Sequence, residues 1–236
     1  MNRRTYILVL LLVSMITVFG QDQNGTYSFL NSTNSARVAA LGGISIPIYD
    51  SDIQLATYNP SLINSDIDNN MALSYVDYYR DINFGTVQYG KTFEKAGSFV
   101  GTLQFHNYGR FYYAEENGYQ DGSTFTVSDY MFNVGWGRML NDNWTIGANL
   151  KFAGIQYENS SAFALAVDVA GTYKTSDGWC LSLTARNIGY ELYKNYEGDH
   201  SKLPFRMQLG MSKKLEHLPF TFIVVYDNLQ KWNLSY

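Results

Sequence analysis

Four ionisable residues, Lys151, Asp168, Arg186 and Arg206, recur at spacings of 17 to 20 residues, each on the polar side of a run that alternates apolar with small or polar residues. Mixed charges gathered on one face suit a selectivity filter or a ligand-binding lumen. The plainer chemistry is a salt-bridge network that fills a plugged interior, because opposite signs on neighbouring strands satisfy one another. The other reactive side chains are scattered. His106, His200 and His217 fall on a predicted strand, a long loop and a short turn, a spread that makes no shared metal site. Neither a Gly-x-Ser-x-Gly elbow nor a Ser-x-x-Lys motif occurs. His106 with a nearby serine is the one arrangement left for a hydrolase, and no enzyme is expected. Cys180 is the single cysteine, so no intramolecular disulfide can form. Gly42-Gly43 lacks the flanking pattern of a phosphate-binding loop, and no cofactor is expected.

The elements that must carry these charges are strands. From Phe163 to Tyr173, Phe163, Leu165, Val167, Val169 and Tyr173 take one face, and Ala164, Ala166, Asp168, Ala170 and Thr172 the other. About nine such strands follow residue 70: Met71 to Tyr78, Ile82 to Tyr89, Gly97 to Asn107, Thr124 to Arg138, Trp144 to Tyr157, Ala162 to Lys174, Trp179 to Arg186, Phe205 to Lys213 and Phe220 to Asp227. Many are longer than the five or so residues usual in globular sheets and suit a tilted membrane-spanning strand. The alternation puts all four charges on the face opposite the apolar stripe. In lipid an Arg or Lys at the midplane costs about 2 to 4 kcal/mol, so that face is expected to line a lumen.

Two segments precede the strands. Residues 1–20 carry Arg3 and Arg4, an apolar run from Ile7 to Phe19 and Gly20 before Gln21, the pattern of a cleaved secretion signal. Gln21 in place of a cysteine gives no lipoprotein anchor. Residues 21–70 lack strand periodicity yet are neither charged nor repetitive enough for a disordered tail, and are expected to tuck into the body as a hatch. Its motif residues are Leu41, Gly42 and Gly43, a tight bend that folds the segment back, and Asn59 with Pro60. Proline disfavours helical backbone at Asn59 and ends a local turn; a gate element is the functional alternative.

Loop lengths give an independent sign. The two longest connections, Tyr108 to Ser123 and Asn187 to Pro204, follow odd-numbered strands and share a rim, whereas connections after even strands are short, as in an outer-membrane barrel. Tyr108, Phe111, Tyr112, Tyr113 and Tyr119 make the first long connection a docking surface or an aromatic girdle raised above the membrane. Single-chain bacterial barrels usually have even strand counts. An odd count therefore leads to the expectation that residues 71–236 are a partial barrel lacking its C-terminal strands, and that Trp232, Leu234 and Tyr236 only mimic a terminal strand.

Composition narrows the classes further. Of 17 Lys and Arg, the two in the signal leave 15 against 21 acidic residues, a mature net charge of −6. A mildly acidic chain without a basic cluster is a poor nucleic-acid binder. Twenty tyrosines favour membrane interfaces, where the ring is apolar and the hydroxyl wet.

Several stretches together resemble a known family. They are Thr26-Tyr27-Ser28-Phe29-Leu30-Asn31 with Ser35-Ala36-Arg37, Ala39-Ala40-Leu41-Gly42-Gly43, and Tyr58-Asn59-Pro60-Ser61-Leu62. Further along come Leu103-Gln104-Phe105 with Tyr108-Gly109-Arg110-Phe111, Ser128-Asp129-Tyr130, and Ile146-Gly147-Ala148-Asn149-Leu150-Lys151-Phe152. Pro204-Phe205, Leu209-Gly210-Met211-Ser212-Lys213-Lys214-Leu215 and Asp227-Asn228-Leu229-Gln230-Lys231-Trp232 complete the set. The chain thereby resembles the PorQ family, outer-membrane components of the type IX protein secretion system of Bacteroidetes and relatives of FadL-like barrels. The resemblance implies an all-β transmembrane antiparallel barrel of about fourteen strands with an N-terminal hatch. It also implies a multi-pass location in the outer-membrane lipid and a non-catalytic role anchoring a surface attachment complex with PorZ, PorU and PorV. The alternative on the same fold is a FadL-like channel for hydrophobic small molecules. An apolar pocket with a lateral opening would mark the channel, and a filled interior with adhesive outer loops the anchor.

Overall fold

The computed structural model describes residues 25–33, 35–113 and 122–231; the expected signal, Tyr119 and the stretch from Trp232 to Tyr236 lie outside them. Alternating residues give alternating faces, and the chain forms one antiparallel sheet in sequence order. Its strands are β1 (Met71–Asp77), β2 (Asn83–Phe93), β3 (Gly97–Tyr112), β4 (Thr124–Met139), β5 (Trp144–Tyr157), β6 (Ser160–Lys174), β7 (Trp179–Lys194), β8 (Arg206–Lys214) and β9 (Thr221–Tyr226). The described chain is thus all-β apart from short helical turns, and β1 and β9 are its two edges. Among the described residues no helix is long and apolar enough to cross a membrane.

β2 runs on to Phe93 in unbroken register, and β3 and β7 run further than alternation predicts for one physical reason. In β3 the register slips between Asn107 and Arg110, where Gly109 takes a φ of 80°. In β7 it slips opposite Asp168, where Asn187 takes a φ of 57°. Each bulge inserts an extra residue, so the period-two pattern changes phase and the strand reads as finished when it continues. At the β7 bulge Arg186 and Asn187 both turn to the buried face. Tyr108, Phe111 and Tyr112 therefore belong to β3, and the first long connection starts near Tyr113. The long connections keep their shared rim, but Tyr157–Ser160 on that rim is a tight hairpin.

Residues 25–70 fold into short turns on one face of the sheet. A five-residue helix, α1 (Ala36–Ala40), starts at Ser35, whose hydroxyl accepts from Val38 N–H. It ends as the glycine pair predicts: Gly42 N–H donates to Ala39 O at 3.1 Å and Gly43 N–H to Val38 O at 2.8 Å, with φ of 89° and 80°. Three 3₁₀ turns follow, Ile53–Thr57, Pro60–Leu62 and Ser65–Ile67, preceded by another at Ser28–Asn31.

The sheet curls around this segment. Asn187 on β7 donates to Asn31 Oδ1 at 2.9 Å, while the adjoining Ser32 Oγ lies 3.1 Å from His106 Nε2 on β3. On a flat sheet those strands stand about 19 Å apart, beyond the reach of two consecutive residues.

Polarity is inverted relative to a water-soluble sandwich. The face against the segment holds Gln88, Thr102, Gln104, Asn133, Asn149, Thr172 and Gln208, all buried. The outer face exposes Leu73, Leu103, Phe132, Leu150, Leu183, Met211 and Val224, strand after strand.

Candidate functional site

The inner face divides along the strands into a seat near the short turns, a charged layer at mid-height and a second seat near the long connections. The first seat is made by glycines. Gly137 and Gly147 on β4 and β5 face Ile63 and Pro60 so closely that a Cβ on either would overlap backbone of the segment. A Cβ at Gly90 would sit 2.6 Å from Ile67 O, and one at Gly210 2.7 Å from the Ile46 side chain. Backbone can lie against sheet only where the sheet carries no side chain.

Asn59 locks that contact. It is fully buried. Its amide donates to Ile46 O at 2.6 Å and Thr172 Oγ1 at 3.3 Å, and its Oδ1 accepts from Ser61 N–H at 3.0 Å and Ser61 Oγ at 2.6 Å. Pro60 opens the turn that Asn59 caps, with Asn59 extended at φ −144° and ψ 100°, as a residue before proline prefers. Ser61, Thr172 and Ser182 continue as a chain of hydroxyls at 2.7 Å spacing into β6 and β7, and Ser212 Oγ donates to Pro47 O. The turn-forming reading of Asn59-Pro60 describes this geometry. Leu41 is exposed at the end of α1 and takes no part in it.

The charged layer brings two of the four expected residues into direct contact. Lys151 Nζ lies 2.7 Å from Asp168 Oδ2, and both side chains are wholly buried. Asp168 also accepts from Asn149 Nδ2 at 3.0 Å and from the bulged Asn187 N–H at 2.8 Å, while Lys151 donates to Asn187 Oδ1 at 2.9 Å. A buried pair survives only when its remaining lone pairs and protons are bonded this way. Arg186 lies over the Tyr58 ring at 5.6 Å and reaches Leu30 O at 3.5 Å, tying the layer to the segment. Arg206 pairs instead with Asp227 at 3.0 Å.

The second seat is lined by alanine. Ala153, Ala162, Ala164 and Ala166 leave room for Tyr27, Phe29 and Leu30, which pack there with Met131 and Leu203. Tyr27 hydroxyl donates to Glu191 Oε1 at 2.9 Å. The same carboxylate accepts from Tyr196 hydroxyl at 2.8 Å and Ser201 N–H at 3.0 Å, with His200 Nδ1 at 3.1 Å. Burial, reinforced by that carboxylate, holds the Tyr27 hydroxyl well above the ordinary phenol range, so it stays a donor. Glu191 thus joins the segment, β7 and the second long connection. Sequence reading missed it, because the bulge at Asn187 moves Glu191 to the inner face.

Beside this seat opens a cavity of about 590 Å³, whose wall includes Tyr108, Phe111, Val127, Asp129, Ile155 and Tyr157. Tyr108 turns inward and donates to Asp129 Oδ2 at 2.7 Å. Tyr112 is exposed on the rim, Phe111 stacks on Phe125 at 5.4 Å, and Tyr113 donates to Glu158. Ser32 and His106 do meet, but Ser32 Oγ also donates to Phe29 O at 2.7 Å, and Gln104 Nε2 lies 2.9 Å from His106 Nε2. The void beside Ser32 and Gln104 measures about 10 Å³. His200 and His217 lie far from that pair in the chain, and no cluster of three metal-binding side chains occurs among the described residues.

No protein-family model matches the chain, and no curated protein matches it.

Proposed function

We propose that the nine strands are wall of an outer-membrane β-barrel, with residues 25–70 as its hatch, serving without catalysis to anchor a surface complex of the type IX secretion system. One observation carries the membrane reading: strand after strand turns large apolar residues outward, as at Leu103, Phe132, Leu150, Leu183 and Met211, while Gln104, Asn133, Asn149, Thr184 and Gln208 are buried on the inner face. A monomer in water rarely exposes an apolar face this extensive, whereas lipid requires it. In lipid the backbone edges of β1 and β9 need partners too, and further strands would close the wall. The filled interior favours an anchor over an open pore, and the PorQ resemblance supplies the partners PorZ, PorU and PorV. The cavity under the long-connection rim favours the second reading, a FadL-like channel for hydrophobic small molecules.

The test is a pull-down of the tagged full-length protein from detergent-solubilised outer membranes. The anchor reading expects a large surface protein of the secretion apparatus, lost when the connection between Tyr112 and Thr124 or between Lys194 and Arg206 is replaced by a short turn. A solitary barrel carrying bound lipid points to the channel. Recovery in the soluble periplasmic fraction rejects both.

A further inference from the structure

The cavity beside the alanine seat has a charge that no cation among the described residues balances. Asp129 projects from β4 into the buried face and is 7% exposed, and its hydrogen-bond partner is the neutral Tyr108 hydroxyl. Among the described residues it forms no ion pair, and none of those lining the cavity is Lys, Arg or His. Its cross-strand neighbour His106 is held by Gln104 and Ser32 and stacks on Phe84 at a centroid distance of 5.0 Å. A second buried carboxylate, Glu191, lies behind Tyr196, itself on the cavity wall. Buried carboxylates are ordinarily paired with a cation.

The rest of the wall mixes apolar and aromatic side chains, Val127, Ile155, Phe111 and Tyr157, with neutral polar ones, Thr26, Ser28, Gln156, Ser160 and Ser161. Aromatic faces attract cations as well as aliphatic chains. A volume of about 590 Å³ accommodates a small organic molecule.

We propose that this cavity binds a small organic cation with an apolar body, its nitrogen taken by the Asp129 carboxylate among the rings of Tyr108 and Tyr157 and its aliphatic part lying against Val127 and Ile155. The site discriminates by sign. A fatty-acid carboxylate of the same size would meet Asp129 with a like charge and lose its hydration for no return. The proposal deepens the cavity's part in the channel reading and narrows the solute to a cation, but needs neither transport nor a membrane.

The deciding experiment is calorimetric titration of the full chain in a nonionic detergent with three probes of equal chain length: hexyltrimethylammonium, hexanoate and hexanol. The expected result is that the ammonium binds about tenfold or more tightly than either comparator, the scale of one charge-assisted contact. Asp129→Asn should abolish that advantage, while Asp142→Asn, which removes the same charge from an exposed turn on the opposite rim, leaves it intact. Equal or tighter binding of hexanoate or hexanol, binding of none of the three, or an ammonium preference that survives Asp129→Asn would each overturn the proposal. The wild-type series decides the question by itself if Asp129→Asn does not fold. Because the titration is done in detergent, its failure leaves the membrane reading standing, and failure of outer-membrane fractionation leaves the binding result standing.

Discussion

The segment's two seats on the sheet achieve contact by opposite means. Near the short turns, Gly137 and Gly147 let the backbone of Pro60 and Ile63 lie against the strands with no side chain between them. Near the long connections, alanines receive the rings of Tyr27 and Phe29, and a single carboxylate, Glu191, fastens Tyr27. The first seat has no freedom, because backbone against backbone tolerates no added atom. The second rests on side-chain packing and hydrogen bonds that can rearrange, and it adjoins the cavity of about 590 Å³ that holds Asp129 and Tyr108. The segment is wedged at one end and latched at the other.

The charged layer separates the two seats, and breaking it should have the largest effect. Lys151→Met leaves Asp168 buried without its cation, a loss of about 3 to 5 kcal/mol. Thermal or denaturant unfolding of the reconstituted protein checks it; a loss under about 1 kcal/mol would mean that Asn149 and the Asn187 backbone suffice to hold Asp168.

Gly147→Ala comes next and tests the wedge directly. Overpacking between rigid groups costs about 1 to 3 kcal/mol, and here the added Cβ meets Pro60 backbone rather than a movable side chain. The expected outcome is protease cleavage within residues 25–70 at a rate that leaves the strands intact. Gly154→Ala, at a position with nothing within 4 Å, is the control and should behave as wild type.

At the latch, Tyr27→Phe removes one hydrogen bond while Tyr196 and the Ser201 N–H still satisfy Glu191. The expected cost is about 1 kcal/mol, with faster amide exchange at residues 27–31 and unchanged exchange around Asn59. Equal acceleration at both ends would show that the seats open together and dissolve the contrast between them.

How far the sequence exposed this arrangement depended on whether a residue's role was local. The strands, their alternation and the order of short and long connections were legible because period two is a local property. Lys151 and Asp168 were legible as neighbours because both lie on clean stretches of adjacent strands. Arg206 shares their face, but its partner Asp227 was not legible, since it lies beyond the end of β9. The bulges at Gly109 and Asn187 defeated the pattern by shifting its phase, which shortened β3 and β7 and concealed Glu191. Glycines and alanines on the polar face were visible as small residues. Their purpose was not, because Gly147 meets Pro60 across a separation in chain that no periodicity encodes.

The weakest predicted effect lies at the outer edge of the wedged seat, where contact with solvent replaces burial. Asp68 Oδ1 accepts from Thr92 N–H at 2.7 Å and lies 3.2 Å from Lys91 Nζ, joining the end of the segment to β2. The Thr92 amide, helped by Lys91, holds the Asp68 carboxyl below its ordinary value of 3.8. A depressed folded-state value means that the unfolded chain takes up the proton first. The contribution of Asp68 is therefore complete above the ordinary carboxylate range and is lost as pH falls through the folded value. Asp68→Asn should remove that part of the acid dependence and leave stability at neutral pH little changed. Because the group is exposed, salt should mute the difference between the two proteins, whereas the buried Lys151–Asp168 pair should be indifferent to it. Unfolding curves at acid and neutral pH, each at low and high salt, separate the two: a salt response as large for Lys151→Met as for Asp68→Asn would show that water reaches the charged layer and that the wedge does not seal it.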